Sequence, residues 1–390
     1  MTEHTVGIQP SVLKWAREKA GYSLNQVSHA MGKDPSLIKA WEAGTDTPTY
    51  VQLEKLAYQL YKRPIAIFFF PEPPSEPDLK KSFRTLPDSE LEAWSADTRY
   101  ALRQALATQI ALLELNDGVN RSRKQIFREI KLGSNSNVVR VVDLVREYLG
   151  VSLEKQIEWH SDDEALKSWR EQIEEAGIFV FKRSFKQKSI SGFCLAHEEF
   201  PLIYLNNSQP KTRQIFTLFH ELAHILFHIN GVTKQDDEYI GFLPDKEKRI
   251  EQLCNRFASE FLVPASDLEE RLRSIKGVDE GTVSVLANRY KVSREMILRK
   301  LLDRGVIKKE YYKAKAAQWT QQYLDSRSQS QGGDYYATQA TYLGKKYLSL
   351  VLGKYYQGRL TIEQVADYLG VKSKSVAGLE EVYINTAVPA

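Results

Sequence analysis

The sequence predicts a mainly α-helical chain with a small β-sheet, an α+β organisation. Helical periodicity fills residues 10–62, 88–131 and 137–149, where apolar side chains return at three- and four-residue steps. From 177 the period shortens: GIFVFKR, ISGFCLAH and PLIYLNN are compact β-rich runs between polar turns, and they read as three strands. Helical periodicity then resumes at once in TRQIFTLFHELAHILFHI.

Composition limits what these elements can do. A chain of 390 residues with 42% hydrophobic and 27% charged side chains has the make-up of a globular protein with more than one domain. The formal charge of +4 is small beside 54 basic and 50 acidic groups, so any basic surface has to be local. Cys194 and Cys254 stand far apart, which fits a reducing compartment better than a disulfide scaffold, and a cytoplasmic location is expected. MTEHTVGIQPSV lacks the features of a leader, and the longest apolar run, IAIFFF at 65–70, is far too short to span a bilayer, so no membrane partner is expected.

The first module is a run of short helices. PSVLKWAREKAG closes on Gly21, SLNQVSHAMG takes Ser23 as its N-cap and closes on Gly32, DPSLIKAWEAG follows a tight turn, and YVQLEKLAYQLY makes a fourth helix. Two short helices around a Gly-containing turn have the shape of a helix-turn-helix. Lys33, Ser36 and Lys39 are its candidate contacts to double-stranded DNA. Over 10–65 eight basic residues face five acidic ones, a modest footprint for a duplex. LNQVSHAMGKDPSLIKAWEAGTDTPT, ending on Trp41, Glu42 and Gly44, resembles the Cro/C1 or Xre type of helix-turn-helix, which implies DNA binding; docking or dimerisation is the competing use of such a module.

PEPPSEPDLKKSFRTLP follows, and its prolines favour an extended spacer. The helical segments after it serve as connectors.

The chemistry lies in FHELAHILFH. On a helix, residues four apart project from one face, so His220 and His224 can hold one ion between them, and Glu221 sits where a carboxylate can accept a proton from water. Ile215, Phe216, Leu218, Phe219, Leu222 and Ile225 make this a core helix, and buried ionisable groups are costly without a partner such as a metal. A third ligand is needed. In EKRIEQLCNRFASEFLVP, Glu251 edges an apolar stripe one turn before Asn255, which is placed to orient a ligand; Glu247 and His228 are rivals.

FTLFHELAHILFH followed at a distance by EQLCNRFASEFLVP resembles the ImmA/IrrE family of zinc metallopeptidases. The matching positions are His220, Glu221, His224, Glu251, Asn255, Phe257, Ala258 and Pro264, while Cys254 and Val263 depart from the alanine and methionine usual there. GIFVFK, SGFCLAH and PLIYLNN join the match, and an N-terminal Xre-type module is a known arrangement. The resemblance implies Zn2+ held by His220, His224 and Glu251, with Glu221 as general base. Tyr204, Arg213 and Tyr239 are the candidates for stabilising an oxyanion, with a structural role competing in each case. By analogy with peptidases that bind substrate along an exposed strand, ISGFCLAH is expected to accept a substrate strand.

Residues 283–302 suggest two more helices with Ser293 as an N-cap; 307–338 is polar, contains QSQGGDYY, and reads as a flexible loop. LTIEQVADYLGVKSKSVAGL has helix-turn-helix spacing of its own, with an interaction module the preferred reading over DNA. The expected layout is a helix-turn-helix domain at 1–70, linker and connector helices at 71–135, a metallopeptidase domain at 136–305 and a C-terminal helical module at 306–390. The functional expectation is a zinc endopeptidase coupled to a DNA-binding domain, acting on a repressor or other protein, with DNA and a second copy of the chain as further partners. The alternative is a DNA-binding regulator or antitoxin-like protein whose zinc domain is a sensor or interaction module.

Overall fold

The computed structural model describes residues 7–76, 83, 91–235, 238–275, 277–327 and 333–387. Among them are nineteen α-helices and one four-stranded sheet, so the chain is mainly α with a small β component. It forms two compact units: residues 1–107 with 185–188, and 108–184 with 189–390.

The first unit opens with α1 (Pro10–Ala20), α2 (Leu24–Met31) and α3 (Pro35–Ala43), each stopped by a glycine in the left-handed region, at φ 82, 63 and 74°. Ser23 and Gln26 cap α2 reciprocally, and Asp34 caps α3. Val12, Val27, Ile38 and Trp41 meet in the core, where Arg17 holds Glu42 through two nitrogens at 2.7 and 3.0 Å. The fourth helix departs from expectation. α4 (Tyr50–Glu54) widens into a π-helix at Lys55–Tyr61, and the extra residue per turn keeps Leu56, Ala57 and Tyr61 buried together. IAIFFF forms a 3-10 turn, Ile65–Phe69, that buries Phe68. Residues 71–76 of the Pro-rich spacer carry neither helix nor strand; the rest of it, apart from Phe83, lies outside the described residues, as do residues 1–6.

α5 (Ala96–Leu115) leads into the second unit, where α6 (Ile126–Glu129), α7 (Val138–Leu149), α8 (Leu153–Glu158) and α9 (Asp162–Glu175) precede the sheet. Strands β1 (Phe179–Arg183), β2 (Ile190–Leu195) and β3 (Leu202–Asn206) are joined by a fourth, β4 (Gly231–Lys234), which the sequence reading missed. The sheet order is β1-β3-β2-β4; β1 and β3 are parallel, and the other pairings antiparallel. ISGFCLAH is therefore a central strand paired on both sides, not an exposed edge, and β4 takes the edge position.

Between β3 and β4 runs α10 (Lys211–Leu226), and α11 (Asp245–Leu262) packs against it. Phe219 of α10 stacks on Phe261 of α11 with ring centroids 4.1 Å apart, and Trp169 of α9 meets Phe219 edge-on at 4.9 Å. Each such aromatic pair is worth ~0.5–1.5 kcal/mol beyond burial, and together they fix the register of α10 against α11. Gly192 on β2 lets the sheet approach the other side of α10: a Cβ there would fall 2.6 Å from Thr217.

α12 (Ala265–Arg273), α13 (Glu280–Tyr290) and α14 (Arg294–Asp303) follow, the last capped by Ser293. The expected loop after 307 is a correction: α15 (Lys309–Arg327) is a long helix. Trp319 donates to Glu280 at 2.9 Å and Tyr311 and Tyr312 pack on the main core, contacts with no signature in local polarity. QSQGG itself lies outside the described residues except for its last glycine. The chain ends in α16 (Tyr335–Leu343), α17 (Lys345–Tyr356), α18 (Ile362–Leu369) and α19 (Val376–Ala387).

Candidate functional site

His220, Glu221 and His224 sit on a helix buried nearly all round, at 1%, 0% and 0% exposure. Glu251 reaches them from α11 and is likewise 0% exposed. His220 Nε2 lies 3.0 Å from His224 Nε2 and 3.2 Å from Glu251 Oε2, and His224 Nε2 lies 3.3 Å from Glu251 Oε1. Donor atoms bound to one tetrahedral zinc at 2.0–2.1 Å stand about 3.3 Å apart, and each histidine stands close to that distance from the other and from one oxygen of Glu251. Two imidazoles and a carboxylate are also a zinc-type donor set. Glu251 Oε1 is buried without a hydrogen-bond donor, an unsatisfied acceptor that a cation at the trio would relieve.

Burial alone would raise the Glu251 carboxyl, but His224 and His220 hold it well below the usual carboxylate range. Burial would likewise lower the His224 imidazole, yet Cys254 and Glu251 beside it push it well above its ordinary value. Both shifts state the same thing: negative and positive charge are gathered at one dry point.

The residues around the trio set its geometry. Asn255 Oδ1 lies 2.9 Å from His220 Nδ1; accepting the proton there leaves the Nε2 lone pair turned toward Glu251 and His224. The short strand β4 does more. Gly231 has no room for a side chain, because a Cβ would fall 2.3 Å from the His224 ring and 2.8 Å from Glu221 Oε2. Thr233 donates to Glu221 Oε1 at 2.6 Å. Lys234 places its ammonium 5.0 Å from the centre of the Tyr239 ring, and the Tyr239 hydroxyl donates to Glu251 Oε2 at 3.1 Å. Gly231 and Thr233 were not anticipated from sequence. Each contacts a residue several positions away in the chain, and no local periodicity marks that.

The other candidates separate cleanly. Glu247 is half-buried outside the trio, and His228 is exposed just past the end of α10 at φ 56°. Tyr204 stacks on Phe193 and Phe181 on the sheet face turned away from α10, and its hydroxyl lies 3.1 Å from Thr108 Oγ1. Arg213 bonds Ser191 Oγ at 3.1 Å and the Lys234 carbonyl, tying the start of α10 to the end of β4. Of the three oxyanion candidates, Tyr239 alone contacts the trio.

In the first unit, Lys33, Ser36 and Lys39 are exposed on the turn and face of α3. Ser36 is already engaged, donating to Asp34 Oδ1 at 2.6 Å, and that bond holds the Asp34 carboxyl below its usual range.

A helix-turn-helix in one unit and a buried His, His, Glu donor set in the other define a chain that joins a DNA-binding domain to a metallopeptidase-like domain. Comparison with known families agrees: residues 173–302 match the IrrE N-terminal-like domain of the Peptidase_M78 family, and residues 13–58 match a helix-turn-helix family. No curated protein matches the chain.

Proposed function

We propose that the chain is a zinc-dependent endopeptidase coupled to duplex-DNA binding, and that its substrate is a protein such as a transcriptional repressor. The observation that carries this reading is the meeting of His220, His224 and Glu251, whose nearest donor atoms stand 3.0, 3.2 and 3.3 Å apart, on a helix that also buries Glu221. Zinc held by the trio supplies Lewis acidity toward water and the scissile carbonyl. Glu221 does the proton work: Thr233 occupies Oε1, so Oε2 is the atom that accepts the proton of the attacking water and returns it to the departing amine. Asn255 orients His220 throughout. Lys33 and Lys39 give α3 two exposed cations for phosphate contacts, and a reducing, cytoplasmic setting fits the two free cysteines.

The test is cleavage of candidate protein partners by the zinc-loaded chain beside Glu221→Gln. Fragments formed by the first and absent with the second support the reading; equal fragments from both, or none from either across all partners tried, contradict it.

A further inference from the structure

The two oxygens of Glu251 are not equivalent. Oε2 accepts from the Tyr239 hydroxyl at 3.1 Å and lies 3.2 Å from His220 Nε2, whereas Oε1, 3.3 Å from His224 Nε2, is buried and receives no hydroxyl. A lone pair shared with a hydroxyl proton is a weaker donor to a cation than one left bare. Tyr239 itself is well fixed: it is 4% exposed, rides on the 3-10 turn Glu238–Phe242, and lies under the Lys234 ammonium at the end of β4. Arg213 holds that end of β4 by its last carbonyl.

We infer that Tyr239 is a positioning residue acting through Glu251: by engaging Oε2 it restricts the carboxylate to offering Oε1 to the metal. The inference rests on the zinc reading of the site. A catalytic zinc site has three protein ligands and keeps one position open, and a carboxylate that used both oxygens would compete for that position. Partners that hydrogen-bond to ligating carboxylates matter at the level of about 10- to 100-fold in metal affinity or activity. Tyr239 therefore separates a site that only stores metal from one with room for water and substrate. Lys234 and Arg213 serve the same end one step further out, since they fix the ring and the strand that carries it.

Tyr239→Phe keeps the ring under Lys234 and removes only the hydroxyl. The measurement is the visible spectrum of the cobalt(II)-substituted full-length protein, read beside zinc stoichiometry and the split of kcat against KM. The expected result is one metal per chain in both proteins, weaker d–d bands in Tyr239→Phe because the metal gains a ligand oxygen, and kcat lowered about 10- to 100-fold at nearly constant KM. An unchanged spectrum overturns the inference while leaving the zinc reading intact. A spectral change in a protein that cleaves nothing supports the inference and counts against the peptidase reading. Failure of the wild type to take up zinc or cobalt overturns both. Should Tyr239→Phe not fold, Lys234→Met, which frees the ring, is expected to move the spectrum in the same direction; no movement overturns the inference.

Discussion

Thr233 donates to Glu221 Oε1 across 2.6 Å, and this one bond leaves Oε2 as the carboxylate oxygen without a donor. The carboxylate is thereby oriented, and in the proposed mechanism the second oxygen is the one that takes the proton. Thr233→Val keeps the shape and removes the hydroxyl. We expect kcat to fall about tenfold with KM nearly unchanged, a loss of ~1.4 kcal/mol in the transition state. Steady-state kinetics on the cleaved partner checks it, and equal kcat values would show that Thr233 does not orient the base.

Gly231 tests how closely β4 must approach the site. Gly231→Ala drives a methyl group into the His224 ring, where both neighbours are buried and cannot move aside. Overpacking of this kind costs about 1–3 kcal/mol, so the unfolding midpoint in denaturant should drop and metal content with it. A variant as stable as wild type would mean that β4 shifts freely.

Lys182 gives a pH dependence away from the site. It lies on β1 at 7% exposure, and burial, reinforced by Arg170 and Lys211, pushes its ammonium down to about 7. The unfolded chain keeps this proton up to about pH 10.4, so between pH 7 and pH 10 the unfolded state binds more protons and stability rises with pH. Lys182→Met should therefore stabilise the fold most at neutral pH. The gain should shrink by up to about 1.4 kcal/mol per pH unit above pH 7. Urea unfolding of both proteins at pH 7 and pH 9.5 measures this; a constant difference would contradict it.

The helix-turn-helix reading makes an electrostatic prediction. Replacing both Lys33 and Lys39 by Gln should weaken duplex binding and lower the slope of log K against log salt by about 2, one for each lost phosphate contact. Fluorescence anisotropy across a salt series provides the slope. If it is unchanged, α3 does not face the DNA.

What the sequence disclosed, and what it hid, follows from the range of the interactions involved. His220 with His224, and Glu251 with Asn255, each lie four residues apart on one helix, a spacing that states their common face before any fold is known. Capping residues such as Ser23 and Ser293 are equally local. β4 gave no comparable signal: GVTK is four residues long, buried on both faces and begun by a glycine, so it shows no alternation. ISGFCLAH was misplaced at an edge for the same reason, since its neighbour on that side was not seen. Thr233 and Tyr239 act on partners twelve residues away, Glu221 and Glu251, across a turn whose geometry no periodicity encodes. α15 was hidden because its contacts are made by three aromatics in an otherwise polar helix, and the π-helix because its widened turn breaks the 3.6-residue rule that found the others.

The zinc reading requires that His220, His224 and Glu251 together hold one metal ion. Elemental mass spectrometry of the purified protein, beside Glu251→Ala and Glu247→Ala, tests it most directly. About one zinc per chain is expected in wild type and Glu247→Ala, with a large loss in Glu251→Ala. No zinc in the wild type after reconstitution, or a loss confined to Glu247→Ala, would contradict it.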